Sequence, residues 1–405
     1  MPAVPTQLEP RVQRAPQLTR HAAVLGTGSF VPDGIISNAD LEAMVHTSDA
    51  WILERTGIRE RRRAGAGVTA ATLGAAAGRR ALAAAGISEV SAIIVATCSP
   101  DTFIPPTACL VQRELGLPGV PAFDINAACS GFVDALVVAN SLIVSGAAGT
   151  VLVIGAEALT QLVDYTDRST CVLFGDGAGA LVLGAADRGG VVATSWGADG
   201  LDADLIYYGV KGDDPNSGDG VRMHGKGTFR NAVERMVGIA EELCATAGWR
   251  LDDVDLLVPH QANARIIEAV AKRLRLPMNK VMVNLDRYGN TGGASIALAL
   301  AEADQLGRLG AGRRVLAIAF GAGATWGGVA LEWTSTRAAW AAPGGADRNR
   351  RVPRMRQAVR LRALQGRPQR LHRVRPSRAR PGRAAHRAAG GLAQHGAARA
   401  ARRRP

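Results

Sequence analysis

Cysteine is scarce, and its spacing carries no pattern. The five thiols, Cys98, Cys109, Cys129, Cys171 and Cys244, are an odd number with no Cys-x-x-Cys pair and no Cys/His spacing suited to zinc. That excludes a disulfide framework and the common structural metal sites, and a reduced, cytoplasmic protein without a metal is expected. An apolar leader is also lacking: MPAVPTQLEPRVQRAPQLTR has no signal-peptide core, so no export is expected and residues 1–21 read as a flexible lead. Nor is there an unbroken membrane-length run. Residues 135–156 carry no charge, but Asn140, Ser141, Ser145, Gly146 and Gly149 break them into a helix, a glycine turn and a buried strand at 151–154. No membrane span is expected.

Acidic residues are nearly absent from one end of the chain. Residues 341–405 hold 19 Arg against the single acid Asp347, a local charge of +18; taking that from the +13 of the whole leaves −5 on residues 1–340. Basicity therefore belongs to a tail, and residues 336–405, without a sustained apolar period, are expected to be disordered. The tail keeps phosphate affinity open, yet it lacks interleaved aromatics and any recognisable binding module, so nucleic acid is not the expected partner.

What remains is rich in apolar residues, 47% of 405, enough to bury a large core. The segment 22–32 reads as a strand ending in a Gly/Pro turn, followed by polar helical stretches with Asn38 and Ser48 at N-cap positions. An alanine-rich helix at 69–86, stopped by Gly86, leads into a β-branched strand at 91–98. The phrase then returns. ISEVSAIIVAT (87–97) is echoed by LDDVDLLVPHQ (251–261), and GDGAGALVLG (175–184) by GAGATWGGVAL (321–331), in the same order. Two such echoes predict two related halves, 22–186 and 187–335, each a helix-flanked sheet, packed with an active site between them. The Gly/Asp/Asn/Pro-rich stretch 198–220 reads as a surface loop.

Within FDINAACSGF (123–132), Cys129 stands where a short apolar strand gives way to a helix. A sulfur there faces the positive end of the helix dipole, which predicts a lowered thiol pKa, and Ala127, Ala128, Ser130 and Gly131 leave room for a carbonyl. Taken alone, the same residue reads more readily as a buried, inert core thiol. His260 in VPHQAN ends a strand and Asn290 in GNTGGAS precedes a helix; each alone reads as a structural residue or a turn. GDGAGA (175–180) lacks the phosphate-loop pattern and reads as a tight turn before a buried strand. The other four thiols read as core or near-core residues, and His224 has no assigned role.

In order along the chain, TSDAWILERTGIRER (47–61), DINAACSGF (124–132), TDRST (166–170), FGDGAGA (174–180), VPHQAN (258–263), YGNTGGAS (288–295) and FGAGATWGG (320–328) resemble the β-ketoacyl-acyl-carrier-protein synthase III family of the thiolase superfamily. The resemblance spans about residues 22–334. It implies an α/β, thiolase-like fold whose two halves stack in five α-β-α-β-α layers. It also implies a Cys129–His260–Asn290 triad in which Cys129 takes an acyl group from acyl-CoA as a thioester. His260 and Asn290 then stabilise the enolate formed as malonyl-acyl carrier protein loses carbon dioxide, and the backbone N–H groups of Cys129 and Ala322 form an oxyanion hole. No cofactor is permanently bound.

Further positions carry over. Trp51, Arg55 and Arg168 match contacts to the nucleotide end of CoA; Gly225 and Asn263 match contacts along the pantetheine. Arg230 and Arg265 match positions that dock the acidic carrier protein. Ile104 matches a residue that closes the acyl pocket, often that of a partner subunit, which implies a homodimer. A thiolase would need a second catalytic Cys where Asn290-Thr291-Gly292-Gly293 stands, and an HMG-CoA synthase a catalytic Glu, whereas the sole acid close before Cys129 is Asp124. Decarboxylative condensation is therefore favoured. A relative that moves the acyl group onto a hydroxyl, an amine or a specialised starter acceptor remains the alternative, and the identity of the primer stays open.

Overall fold

The computed structural model describes residues 21–209 and 219–334. The expectations for the lead, for the Arg-rich tail and for 210–218 of the loop lie outside them.

The first half opens with β1 (His21–Phe30), then β2 (Gly34–Ser37), α1 (Asn38–Glu42), α2 (Asp49–Thr56) and β3 (Glu60–Arg63). It continues through α3 (Ala70–Ala85), β4 (Ala92–Ala96), α4 (Thr107–Leu115), β5 (Ala122–Ile125), α5 (Gly131–Val144), β6 (Thr150–Ala158) and β7 (Asp176–Ala186). The second comprises β8 (Gly190–Ala198), β9 (Ile206–Gly209), β10 (Gly220–Met223), α6 (Gly225–Ala247), β11 (Leu256–Pro259) and α7 (Ala264–Arg273). It ends with α8 (Leu285–Tyr288), α9 (Ser295–Gln305), β12 (Arg314–Gly321) and β13 (Thr325–Glu332).

Two sheets form the frame, ordered β1-β7-β6-β4-β5 and β11-β12-β13-β8. The echoed phrases occupy matching places: β4 and β11 each pair parallel with the next long strand, and β7 and β13 each follow antiparallel. Even the extra strand β5 has a trace of a counterpart, a single parallel bridge between Leu257 and Val281.

Side chains alternate across a strand, and here the alternation sorts the cores. Ile93 and Val95 of β4, with Leu152 and Ile154 of β6, face α3; Ile94 and Ala96, with Val151 and Val153, face α5 and α9. In the second sheet Leu256, Val258, Val315 and Ala317 turn to the same middle helices, while Leu257, Leu316 and Ile318 turn outward to α6 and α7. The result is the five-layer α-β-α-β-α stack. Each fully buried Leu or Ile in these faces contributes about 2 kcal/mol.

Three local expectations are corrected. The stretch 198–220 is not simply loop, since Gly200–Leu205 forms a 3-10 helix and Ile206–Gly209 is the strand β9, paired with β10. Ser37, not Asn38, caps α1; Asn38 is the first helical residue, and its buried amide donates to Asp49 Oδ1 (2.7 Å) and the Ile58 carbonyl (2.9 Å). The GDGAGA run is not a turn, because Gly177 and Gly179 lie inside β7. A Cβ at Gly179 would come 2.4 Å from the Leu298 N, so the glycines admit α9 against the strand.

Candidate active site

Cys129 sits in the 3-10 turn Ala128–Ser130 between β5 and α5. The turn is tight. Ala128 adopts φ 47°, a left-handed conformation that costs a non-glycine residue about 1 kcal/mol or more, and such strain concentrates at functional turns. Side chains hold it in place: Asn126 Oδ1 accepts from the Ala128 N–H (3.2 Å), while Thr325 Oγ1 (3.0 Å) and Ser130 Oγ (2.9 Å) donate to the Ala127 carbonyl.

His260 follows β11 and is tied to the second sheet by its N–H, which donates to the Ile318 carbonyl at 2.8 Å. Its ring Nδ1 lies 2.7 Å from Ser295 Oγ, the first residue of α9, and the Gln261 N–H donates to the same oxygen at 3.4 Å. With the Ser295 hydroxyl donating to Nδ1, the imidazole proton stands on Nε2. Asn290 belongs to the same stretch as Ser295. Its Oδ1 accepts from the Gly292 N–H (2.9 Å), leaving Nδ2 as the end available to a ligand. Its backbone is pinned on both sides, with the N–H donating to Leu173 O (2.8 Å) and the carbonyl accepting from Gly175 N (2.9 Å).

Cys129, His260 and Asn290 all line one cavity of about 570 Å³, walled by Leu173, Phe174, Ile206, Met223, Phe229 and Phe320. Burial pushes the Cys129 thiol up to about 12, and the Glu157 carboxylate adds to the rise. The expected lowering by the helix terminus is thus overturned, because desolvation of the thiolate outweighs it. Burial also lowers His260 to about 4, so the ring is neutral at physiological pH. Neither the Cys129 nor the Ala322 N–H has an acceptor among the described residues. The two segments touch. A Cβ on Gly321 would fall 2.7 Å from the Cys129 N, so only glycine fits there.

Trp51, Arg55, Gly225, Asn263 and Arg265 line the same cavity, together with Lys226, which sequence reasoning passed over. The Arg168 guanidinium stacks 4.8 Å from the Trp51 ring and donates to the His46 carbonyl (2.9 Å). Asn263 has a structural task as well: its Oδ1 caps α7 through the Arg265 N–H (2.9 Å) and its Nδ2 donates to the Arg55 carbonyl (2.9 Å). Arg230 is exposed on α6 and is not part of the lining. Ile104, 88% exposed, is also outside it. Asp124 accepts from the Thr107 (2.6 Å) and Ala108 (2.7 Å) N–H groups at the start of α4, a helix-capping task. Among the described residues no His/Cys/Asp/Glu group is arranged to hold a metal ion, and no helix is long and apolar enough to cross a membrane.

Residues 123–200 match the family 3-oxoacyl-[acyl-carrier-protein (ACP)] synthase III, and residues 244–333 match the family of its C-terminal part. The β-ketoacyl-[acyl-carrier-protein] synthase III of Xanthomonas axonopodis pv. citri (strain 306) is 47% identical over 320 residues, 77% of this chain and 98% of that protein. The chain belongs to the β-ketoacyl-[acyl-carrier-protein] synthase III family. The crystal structure of the Aquifex aeolicus VF5 3-oxoacyl-[acyl-carrier-protein] synthase III superposes with a TM-score of 0.74 at 45% identity, covering 77% of this chain and all of that one. The priming β-ketosynthase of the R1128 polyketide biosynthetic pathway does so at 0.75 and 38% identity, covering 80% and 99%.

For a synthase III, the residues most easily missed in the sequence are Ser295 and Glu157. Ser295 closes the quoted YGNTGGAS motif, but only the fold brings it to His260. Glu157 has a plainer signal, a lone acid inside the apolar strand TVLVIGAEA.

Proposed function

We propose that this protein is an acyltransferase, a β-ketoacyl-acyl-carrier-protein synthase III that joins an acyl primer to malonyl-acyl carrier protein with loss of carbon dioxide. The Cys129 sulfur attacks the carbonyl of acyl-CoA; the carbon–sulfur bond to CoA breaks, and the thiol proton leaves with CoA. Malonyl-acyl carrier protein then enters. As its carboxylate departs as carbon dioxide, the electron pair moves onto the thioester oxygen, which His260 Nε2–H and Asn290 Nδ2–H stabilise. The enolate carbon attacks acyl-Cys129, the N–H groups of Cys129 and Ala322 hold the tetrahedral oxyanion, and its collapse breaks the carbon–sulfur bond to Cys129, whose thiolate takes a proton from solvent to restore the thiol.

One observation carries this reading: a nucleophile, a neutral imidazole and a carboxamide line a single cavity, with Asn290 Oδ1 already engaged so that its Nδ2 is left to donate; with the Ser295 hydroxyl donating to Nδ1, His260 Nε2 donates beside it. A base-catalysed transfer to water or an amine would call for a free acceptor instead. The cationic rim of Arg55, Lys226 and Arg265 suits CoA phosphates and an acidic carrier protein, with Trp51 and Arg168 at the nucleotide end and Gly225 and Asn263 beside the pantetheine. Arg230 extends that rim on α6 as a second docking charge for the carrier protein. Ile104, exposed and far from being part of its own cavity wall, fits a role in the acyl pocket of a second copy in a homodimer. Five free thiols suit a reducing cytoplasm.

Intact mass after mixing wild type and Cys129→Ser with a panel of acyl-CoAs tests the nucleophile and reports the primer. Wild type is expected to gain one acyl group, then to release carbon dioxide from malonyl-acyl carrier protein and yield a ketoacyl product. Equal acylation of the serine variant, or acyl-Cys129 without product, would overturn the reading.

A further inference from the structure

Near the end of β6, Glu157 is completely buried, and among the described residues it forms no ion pair. Its oxygens are instead crowded by donors from separate parts of the chain. Oε1 accepts from the Cys98 N–H (3.1 Å), the Cys98 thiol (3.4 Å) and the Gly293 N–H (3.2 Å). Oε2 accepts from the Ser99 N–H (3.1 Å), Thr97 Oγ1 (3.3 Å) and the Ser99 hydroxyl.

Two of these partners matter for the site. Gly293 lies between Asn290 and Ser295, the residues that offer an amide to the cavity and orient His260. It also touches the other side: a Cβ on Gly293 would stand 3.0 Å from Glu157 Oε1 and 3.1 Å from the carbonyl of Ala128, next to Cys129. Cys98 and Ser99 belong to the segment that leaves β4, the neighbour of β6 in the first sheet. Glu157 thus ties the Asn290 turn to the β4 exit, and Gly293, which it holds, abuts the Cys129 turn.

The donor set is selective about what can stand here. Every contact on both oxygens is a donor, so the side chain must accept on both sides, which a carboxylate does and a carboxamide does not. A glutamine would turn its NH₂ against either the Gly293 and Cys98 N–H groups or the Ser99 N–H and the Ser99 and Thr97 hydroxyls. An apolar side chain would leave the Cys98 and Gly293 N–H groups unpaired, since of the three backbone donors only Ser99 has a second acceptor, Thr97 Oγ1 (3.1 Å).

We propose that Glu157 is a positioning residue that locks the turn carrying Asn290 against the turn carrying Cys129. The inference rests on the roles given above to those two residues. It predicts a split between the half-reactions. Thioester formation needs Cys129 and its own turn, whereas decarboxylation needs Asn290 and His260 in register with the acyl group, and a misplacement of about 1 Å can cost about a hundredfold.

The test uses the full-length protein and measures acyl-Cys129 formation from acyl-CoA by mass separately from carbon dioxide release from radiolabelled malonyl-acyl carrier protein. Glu157→Gln is expected to acylate within about threefold of wild type and to decarboxylate about ten- to a hundredfold more slowly. In the Asn290→Ala background, Glu157→Gln is expected to add little, because both changes remove the same interaction. Gly293→Ala, which presses on the same contact while leaving the carboxylate in place, is expected to show the same split, and it substitutes if Glu157→Gln does not fold. Equal loss in both half-reactions, or an undiminished Glu157→Gln effect in Asn290→Ala, would overturn the inference while leaving the site reading intact. Unimpaired decarboxylation by Asn290→Ala alone would overturn the site reading and this inference with it.

Discussion

The strands β4-β6-β7-β1 of the first sheet and β11-β12-β13-β8 of the second run in the same order and the same relative directions, yet their loops deliver different chemistry. Ahead of the middle-layer helix α5, the first half places a strained turn with a nucleophile. Ahead of its counterpart α9, the second half places a glycine-rich turn with Asn290, and adds His260 at the end of β11. The turns Ala128–Ser130 and Gly292–Ala294 meet where the halves join. Two sheets of like order thus bring two helix starts face to face and leave each free to carry a different group. On the proposed reading, one side bonds the acyl group and the other donates hydrogen bonds.

The sharpest way to break that comparison is to disable one side at a time. Cys129→Ala is expected to abolish thioester formation and condensation together, a loss of about a thousandfold or more measured by product formation. Asn290→Ala and His260→Ala should leave acylation nearly intact and slow carbon dioxide release by roughly a hundredfold each, about 3 kcal/mol per lost donor. If a change on the donor side also stops acylation, the division of labour between the halves is wrong.

Titration sharpens the comparison further. His260 has its folded pKa lowered from 6.5 to about 4, so the unfolded chain binds the proton first as pH falls. Stability from this group is therefore complete above pH 6.5 and is lost towards pH 4, by about 3 kcal/mol. Asp134 in α5 acts with the opposite sign, since burial pushes its carboxyl up to about 7 and native protein holds that proton longer. The measurement is the difference in urea unfolding between wild type and His260→Asn across the window, which isolates the histidine; a flat difference would refute its burial in the neutral form. On the nucleophile side, alkylation of Cys129 should climb from neutral pH towards about 12 without a lower plateau.

Smaller effects probe the joint itself. Gly321→Ala forces a Cβ against the Cys129 N and is expected to cost about 1–3 kcal/mol in thermal unfolding along with activity. Gly310→Ala, with nothing within 4 Å, should change neither. Ser295→Ala removes the partner of His260 Nδ1 and should slow decarboxylation by about fivefold, roughly 1 kcal/mol, while acylation is kept.

Much of the frame was legible because local patterns carry it. The apolar runs at 92–96 and 256–259 appear as strands, Thr69 and Gly86 bound an alanine-rich helix, and the repeated phrases occupy matching strands in the two sheets. Asn38 and the GDGAGA run were misread, since a capping residue and a strand glycine each answer to what packs against them. Asn38 is claimed by Asp49 and Ile58, and Gly179 by α9. Likewise, a cysteine before a helix suggested an acidic thiol, but the dense surroundings that raise it come from elements far along the chain.

The sequence by itself determined the echoed phrases, the strand and helix periods, and which residue types could act as nucleophile and donors. Those depend on neighbours within a few positions, where backbone geometry and side-chain alternation act directly. Only the tertiary structure decided that Cys129, His260 and Asn290 share one cavity, which end of each side chain is left for a ligand, and that Glu157 sits beneath their turns. Such facts depend on contacts between segments more than a hundred residues apart and on desolvation, which no local stretch of chain contains.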